Sequence, residues 1–346
     1  MMLKLPVSRL EELFSLINGE RKLYLPVMNN EKPEFGQWMP GRHLALDRLN
    51  TVKSPKDFFF PHTETIVSFK TLGKEVSIEE AREPSETFAL FGVRSCDAES
   101  LKILDRVFLS DPVDTFYQSR RQNGVIITSA CFEPEETCFC GVFNLDPLSP
   151  GGDVATWILS DTLYWKSNTD KGNQLTDKVK KLFAEADSGD DKAIASALAK
   201  TKELLGKLPF NGLSLKGHSK EKMLETFNSA HWGELYPACL SCGTCTFICP
   251  TCHCYDIRDF DTGKGIQRYR CWDSCMYFDF TLMPHGNPRK GQHERFRQRY
   301  MHKLVYFPEN NGGVTACVGC GRCVAKCPVS MNIVKVIKTF GTEGGV

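Results

Sequence analysis

The chain has 346 residues, with 43 basic and 42 acidic side chains and a formal net charge of +1. This length suggests two or three domains, and the charge balance predicts neither a nucleic-acid-binding surface nor an acidic tail. The N-terminal "MMLKLPVSRLEELF" has no apolar signal segment, and no apolar run is long enough to cross a bilayer. We therefore expect a cytoplasmic protein that does not insert directly into a membrane.

The N-terminal part is predicted to be an α/β domain. Ser8 and Glu11 have the spacing of a capping box, which predicts a first helix over residues 8–18. "KLYLPVM" and "TETIVSFK" are predicted strands. "TFALFGV" and "GVIITSA" are two more, joined by a helix that Asp97 is expected to cap and that ends near Phe108. Such a strand–helix–strand unit makes its two strands parallel.

The elements that follow indicate a boundary between two domains. "WILSDTLYW" is predicted to form a hairpin, and "LTDKVKKLFAEA" and "KAIASALAKTKELLGKL" two amphipathic helices. The polar stretch "NGLSLKGHSKEK" then precedes a cysteine-rich region. We expect an α/β domain over residues 1–215 and a second domain over residues 216–346.

The chain contains 16 cysteines, and without an export signal these indicate metal binding rather than disulfides. The motif C-x2-C-x2-C-x3-C-P occurs twice, as "CLSCGTCTFICP" and "CVGCGRCVAKCP", the second copy 78 residues after the first. This spacing is typical of proteins with two [4Fe-4S] clusters, where three cysteines of one motif and the fourth of the other hold each cluster. The predicted ligands are Cys239, Cys242, Cys245 and Cys327 for cluster 1, and Cys317, Cys320, Cys323 and Cys249 for cluster 2.

Zinc is the alternative occupant of these motifs. Zinc ribbons use paired C-x2-C knuckles and need neither a third cysteine nor the trailing Cys-Pro, so iron–sulfur clusters are favoured. Gly243 and Gly321 follow the second cysteine, where we expect a larger side chain to press on the cluster. The long segment between the motifs favours helices over a compact ferredoxin fold. After the second motif, Ser330 is expected to cap a helix that Gly341 ends.

A first group of further cysteines comprises Cys96, Cys131, Cys138 and Cys140. Cys96 and Cys131 follow the two parallel strands, so both should emerge at the carboxyl edge of the sheet, where open α/β folds bind ligands. "CFEPEETCFC" then returns the other two thiols through a short loop. A third cluster is one interpretation, and buried apolar cysteines are the other.

A second group comprises Cys252, Cys254, Cys271 and Cys275, from "CHC" and "CWDSC". It could form a fourth cluster or another metal site, and the alternative is a packed loop with incidental thiols. His253 is either a ligand or, as is more common for a lone histidine, a hydrogen-bonded structural residue.

The stretch "HGNPRKGQHERFRQRYMHK" is rich in basic residues: Arg289, Lys290, Arg295, Arg297, Arg299 and Lys303. Such a run is usually a solvated helix face. Alternatively, it offsets the negative charge of thiolate-ligated clusters and sets their potentials, or docks an acidic partner. No dinucleotide- or triphosphate-binding motif and no catalytic triad are found, so the cysteines carry the strong chemical signal.

These motifs, together with "WDSC", "NPR", "FGVRSCD" and "CFC", resemble the dicluster iron–sulfur β-subunit family. That family includes the sulfhydrogenase β subunit, an iron–sulfur subunit of anaerobic sulfite reductase, and subunits found with heterodisulfide-reductase-type complexes. The resemblance implies a helical-ferredoxin C-terminal domain with two [4Fe-4S] clusters. It also implies a neighbouring FAD-containing flavoprotein subunit that oxidises NAD(P)H, and a terminal reductase or hydrogenase subunit. Cys271 departs from the family pattern.

We therefore expect an iron–sulfur electron-transfer subunit of an anaerobic multi-subunit oxidoreductase, of sulfite reductase, hydrogenase or heterodisulfide-reductase type. It would relay single electrons between a flavin-containing partner and a terminal enzyme. Two alternatives stay open. One is a self-contained redox enzyme, with substrate or flavin at the edge of the N-terminal sheet. The other is a zinc-bearing interaction scaffold.

Overall fold

The computed structural model describes residues 1–72, 75–80, 86–263 and 265–341. Its strands are β1 (Leu3–Pro6), β2 (Lys22–Asn29), β3 (Lys32–Gln37), β4 (Thr63–Leu72), β5 (Glu75–Glu80), β6 (Phe88–Arg94), β7 (Gly124–Ser129), β8 (Val154–Leu159), β9 (Thr162–Ser167), β10 (Ala184–Glu185), β11 (Tyr255–Asp261) and β12 (Ile266–Trp272).

The helices are α1 (Leu10–Glu20), α2 (Ser95–Phe108), α3 (Thr115–Asn123), α4 (Asp170–Val179), α5 (Ser188–Gly206), α6 (Met223–Asn228), α7 (His231–Leu235), α8 (Thr244–Phe247), α9 (Gln292–Met301), α10 (Phe307–Asn310), α11 (Arg322–Ala325) and α12 (Ile333–Gly341). A π-helical turn, His302–Tyr306, joins α9 to α10. Within the described ranges, no helix combines the length and apolar character that a membrane span requires.

An eight-stranded sheet forms the centre of the α/β part, in the order β10-β1-β9-β8-β7-β6-β2-β3. The neighbours β2, β6, β7 and β8 are parallel, and the predicted parallel unit β6–α2–β7 is confirmed. Successive residues of β6 face opposite sides of the sheet. Ala89 and Phe91 pack in the core with α1 and α4, and Phe88 and Leu90 pack with α2. The hairpin of β8 and β9 is confirmed as well.

Several helix boundaries differ from the predictions. A 3-10 turn, Val7–Arg9, precedes α1, so Ser8 does not cap it and the helix begins at Leu10. Helix α4 begins earlier than predicted and ends at Val179, and α5 begins at Ser188 with a capping box formed by Asp187 and Asp190. Local side-chain hydrogen bonds decide these ends, and a periodic apolar pattern does not resolve them.

Two predicted caps are wrong, because other side chains or partners take their place. Asp97 lies inside the first turn of α2, which begins at Ser95. Ser330 has a left-handed backbone with a φ of 54°. The side-chain oxygen of Asn332 instead accepts a hydrogen bond from the backbone N–H of Val334 at 3.0 Å, at the start of α12.

A second, four-stranded sheet has the order β11-β12-β4-β5. Strands β4 and β5 precede residue 215, whereas β11 and β12 lie between the two cysteine motifs, so this sheet joins the two halves of the chain. Phe69 pairs with Ile266, and Thr63 pairs with Cys271. The segment between the motifs thus contains a β-hairpin as well as the expected helix. The division at residue 215 stays a prediction.

Candidate metal centres

The four cysteines predicted to hold cluster 2 line one cavity: Cys249, Cys317, Cys320 and Cys323. Cys249 comes from the first motif and the other three from the second, as the crossed ligand pattern requires. Burial raises the pKa of the three second-motif thiols that line this cavity, that of Cys317 to about 12. Thiols in such surroundings stay protonated unless a metal or a cation compensates the charge of the thiolate.

The four cysteines predicted to hold cluster 1 are also neighbours. Burial raises the pKa of Cys239, and the nearby thiols of Cys245, Cys242 and Cys327 act in the same direction. Cys239 and Cys327 pack against the apolar core that contains residues of α9 and α12. Cys242 differs from the others, because its side chain is exposed to solvent.

Backbone conformation and protein contacts restrict the two motif glycines, and the predicted contact with the cluster stays a prediction. Gly243 and Gly321 have φ angles of 71° and 76°, in the left-handed region, and each directly precedes a short helix, α8 or α11. A side chain at Gly243 would collide with the hydroxyl of Tyr277. One at Gly321 would lie 2.6 Å from the carbonyl oxygen of Thr137. Backbone conformation and protein contacts therefore restrict these positions.

The structure brings the four cysteines of the third group together. Cys96, Cys131, Cys138 and Cys140 line a second cavity, and Cys320 lines this cavity too. Burial raises the pKa of Cys138 to about 12 and that of Cys140 to about 11. Because Cys320 lines both cavities, the third group and the cluster 2 position are adjacent.

A close backbone contact joins these two cavities. The N–H of Phe139, between Cys138 and Cys140, donates a hydrogen bond to the carbonyl oxygen of Gly319 at 2.9 Å. A Cβ at Gly319 would lie 2.5 Å from the Phe139 carbonyl carbon, so only glycine permits this approach. The loop that carries the third cysteine group thus rests directly on the loop of the second motif.

The fourth group is brought together only in part. The thiols of Cys254 and Cys275 share a hydrogen bond, as do those of Cys249 and Cys252. Cys271 of β12 pairs with Asp256 of β11. Burial raises the pKa of Cys271, Asp256 and Asp273 act in the same direction, and Arg258 opposes them. The next residue, Trp272, is buried in the core beside Phe60. Since successive side chains of a strand point to opposite faces, Cys271 is directed away from the other three.

His253 makes the contacts of a packed structural histidine. Its Nδ1 lies 3.0 Å from the carbonyl oxygen of Thr251, and its ring packs near Phe108, His302 and Phe307. Burial lowers its pKa to about 4, which keeps the ring neutral at physiological pH.

Two residues of the basic stretch are buried among the cysteines. Lys303 Nζ donates hydrogen bonds to Cys249 Sγ at 3.3 Å, Thr251 Oγ1 at 2.8 Å and the Ala316 carbonyl oxygen at 2.8 Å. Arg299 Nη1 lies 3.7 Å from Cys252 Sγ, and Nη2 donates to the Cys245 carbonyl oxygen at 2.8 Å. Lys303 and Arg299 therefore place positive charge next to the sulfur atoms of cysteines.

The rest of the basic stretch lies nearer the surface and supports local structure. Arg297 stacks 3.7 Å above the ring of Phe227, and Arg295 donates to the carbonyl oxygens of Met276, Arg289 and Lys290. The basic stretch therefore consists of two buried cations, Arg299 and Lys303, and a set of basic residues nearer the surface.

Sequence reasoning missed two polar groups that contact the motifs. The amino group of Lys56 donates to the carbonyl oxygens of Cys249 at 3.1 Å and Cys252 at 2.9 Å, and lies 3.6 Å above the ring of Trp272. Asp97 forms a buried ion pair with Arg322 of the second motif. Nothing in the local sequence marks Lys56, and the local pattern at Asp97 indicates only a helix cap, because both residues act through partners distant in the chain.

The cysteines and buried cations of these cavities have the chemistry that iron–sulfur clusters require. One cavity is lined by four cysteines and the other by five, Cys320 being common to both, and the buried ammonium of Lys303 lies beside the first. Arg299 Nε is buried and has no hydrogen-bond partner among the described residues, as expected beside an anionic group. In the described ranges no three His, Cys, Asp or Glu side chains are arranged around a single metal ion. The ligands of a [4Fe-4S] cluster surround a group larger than a single ion, so they lie farther apart than the ligands of one ion do.

Comparison with known proteins agrees with this chemistry. Residues 238–331 match the model of the 4Fe-4S dicluster domain, which binds two [4Fe-4S] clusters. The chain is 32% identical over 337 residues to the Sulfhydrogenase 2 subunit beta of Pyrococcus furiosus, and the match covers 96% of each chain. With a relative this similar over nearly its whole length, the chain belongs to the dicluster iron–sulfur β-subunit family.

Proposed function

We propose that this chain is the iron–sulfur electron-transfer subunit of a hydrogenase-type complex. The relative from Pyrococcus furiosus is named as a subunit of such an enzyme, and the dicluster domain supplies the cofactors. Bound clusters would each accept and release one electron. The chain itself supplies thiol ligands, buried cations and a fixed spacing between the sites.

One observation carries the proposal: two cavities, one lined by four cysteines and the other by five, share Cys320. We assign Cys249, Cys317, Cys320 and Cys323 to cluster 2, and the third group to a third cluster. Cluster 1 takes Cys239, Cys242, Cys245 and Cys327. Because each motif contributes ligands to both clusters, the three sites form a row that ends at the exposed Cys242.

For the fourth group the geometry favours a smaller set than predicted. Cys252, Cys254 and Cys275 lie beside Cys249 and Cys245, whereas Cys271 faces away from them. We propose that any further metal site here uses these three thiols and excludes Cys271. We also propose that the C-terminal part has a helical-ferredoxin arrangement. The proposed partners are an NAD(P)H-oxidising flavoprotein and a terminal hydrogenase or reductase.

Electron counting tests this function. The full chain is purified without oxygen, reduced with dithionite, desalted and mixed with oxidised cytochrome c. We expect at least about two electrons per chain from two clusters. The chain alone should not oxidise NAD(P)H or hydrogen. Turnover by the isolated chain would favour a self-contained enzyme, and a zinc-containing chain that yields no electrons would favour a scaffold.

A further inference from the structure

Cys320 faces two proposed metal sites at once. It lines the cavity of cluster 2 with three other motif cysteines, and it also lines the cavity of the third group. Burial raises the pKa of Cys96 in the third group, and the nearby groups of Asp97 and Cys320 act in the same direction. Among the described residues that line these two cavities, Cys320 is the one cysteine common to both.

The number of cysteines indicates how Cys320 is shared. Eight different cysteines line the two cavities, and two [4Fe-4S] clusters need eight thiolate ligands. When Cys320 is assigned to cluster 2, each site has four ligands and the third site needs no fifth cysteine. The side chain of Cys320 is then a ligand on one side and a wall of the neighbouring site on the other.

Two glycines bring the loop of Cys320 against the loop of the third group. A Cβ at Gly319 would lie 2.6 Å from the backbone nitrogen of Cys140, and one at Gly321 would lie 2.7 Å from the hydroxyl oxygen of Thr137. Both glycines have left-handed φ angles, 62° and 76°. The backbone on each side of Cys320 therefore packs on residues 137–140 with no side chain in between.

Contacts from the N-terminal half hold Cys320 in this position. Asn50 Nδ2 donates a hydrogen bond to the Cys320 carbonyl oxygen at 3.5 Å, and Arg322 Nε donates to the Thr51 carbonyl oxygen at 3.0 Å. The charge of Arg322 is balanced by the buried carboxylate of Asp97. This ion pair therefore fixes the wall between the two sites without adding net positive charge to it.

A negative charge at one of these sites would act on the other. Reduction adds one negative charge to a cluster, and like charges repel more strongly in the protein interior than in water. Cys320 is buried, so salt and water screen this repulsion little. With a single cysteine side chain as the common wall, the two sites are close enough for the repulsion to matter.

We propose that Cys320 couples cluster 2 to the third cluster, so that an electron added to one lowers the reduction potential of the other. This inference rests on the proposed function and adds a property that the function does not require. Each of the two clusters accepts one electron from the reductant, at two separated potentials. The second electron is held less tightly and leaves first, so the pair passes electrons on singly.

The test is a potentiometric titration of the full chain without oxygen, with dithionite as the reductant, followed by electron paramagnetic resonance. When both clusters of the pair are reduced, their unpaired spins should interact and split or broaden the signals. Cys138→Ser removes a ligand of the third cluster, so the splitting that is lost in this variant belongs to the pair. The midpoint potential of cluster 2 should also rise in this variant, because an anionic neighbour has been removed.

A matched pair of glycine variants tests the role of the Cys320 loop. Gly321 and Gly243 occupy equivalent positions in the two motifs and have similar φ angles, but only Gly321 packs on the loop of the third group. Gly321→Ala should push the two loops apart and reduce the splitting that belongs to the pair. Gly243→Ala, whose added methyl group meets Tyr277 instead, should leave that splitting unchanged.

The outcomes separate this inference from the proposed function. Equal splitting and equal cluster 2 potentials in the unmodified and Cys138→Ser chains, with about 12 and about 8 iron atoms, would overturn the inference alone. Equal splitting in the two glycine variants would overturn the role of Cys320, and a Gly321 variant that loses iron leaves the decision to Cys138→Ser. An unmodified chain with about 8 iron atoms would overturn the third cluster and this inference but not the electron-transfer function. A chain without iron would overturn all three.

Discussion

Arg322, between two cysteines of the second motif, and Asp97, at the start of α2, form a buried ion pair with two hydrogen bonds. Nη1–Oδ1 is 2.6 Å and Nη2–Oδ2 is 2.8 Å. Arg322 Nε also donates to the carbonyl oxygen of Thr51 at 3.0 Å. The pair lies beside Cys96 and Cys320, which line the same cavity. It therefore joins the parallel sheet to the dicluster region where two proposed clusters meet.

Replacing one member of this pair should destabilise the protein strongly. Asp97→Ala would leave the buried guanidinium of Arg322 without its counter-charge, which typically costs about 3–5 kcal/mol. The free energy of unfolding in denaturant, measured without oxygen, checks this. The matched control is Glu99→Ala in the exposed Glu99–Lys102 pair on the same helix, which should cost at most about 1 kcal/mol. Equal effects of the two variants would show that the Asp97–Arg322 pair does not join the two regions.

Removing one ligand should remove one cluster. Cys245→Ser should lower the iron content by about four atoms per chain and lower thermal stability, because cluster binding is coupled to folding. Cys271→Ser is the control, because Cys271 faces away from the other thiols, and it should retain all of its iron. Full iron content in the Cys245 variant would contradict the ligand assignment.

The third cysteine group should hold a cluster of its own. Cys138→Ser removes a buried thiol of that cavity but none of the motif cysteines. We expect a loss of about four iron atoms per chain, while the paramagnetic signals of clusters 1 and 2 remain after reduction. Iron analysis together with electron paramagnetic resonance measures both. An unchanged iron content would show that these four are buried apolar cysteines.

The buried ammonium of Lys303 should raise the reduction potential of cluster 2. Reduction adds negative charge to the cluster, and a nearby positive charge favours the reduced state. Lys303→Met should therefore lower the midpoint potential. At an effective dielectric constant of about 20, a unit charge about 5 Å away contributes about 3 kcal/mol, or on the order of 100 mV.

A potentiometric titration followed by paramagnetic resonance measures this shift. Arg297→Met is the control from the same basic stretch, since its guanidinium stacks on Phe227. Its midpoint potentials should stay close to those of the unmodified chain. A Lys303 variant with unchanged or raised potentials would refute the proposed role of this charge.

Local sequence patterns predict candidate ligands but not the surroundings of those ligands. The crossed ligand sets follow from cysteine spacing alone, because a tight loop can place three nearby thiols around one cluster. The parallel unit follows from apolar periodicity and right-handed connection. Both depend on residues that are close in sequence, or on rules that hold for most folds.

The contacts that link the sites could not be predicted in this way. Asp97 and Arg322 are 225 positions apart, and Lys56 and Cys249 are 193 apart. In the sequence Asp97 has the pattern of a helix cap, whereas in the structure its carboxylate forms an ion pair with the distant Arg322. Cys271 lies in the same short motif as Cys275, yet strand alternation directs it to the other face. Only the tertiary fold distinguishes these cases.

The central claim is that the two repeated motifs bind two [4Fe-4S] clusters, and iron and acid-labile sulfide analysis of the full chain prepared without oxygen tests it most directly. The account predicts at least about 8 iron and 8 sulfide per chain, rising to about 12 with the third cluster. A folded chain that contains zinc, or that has fewer than about 8 iron atoms and no acid-labile sulfide, would contradict it.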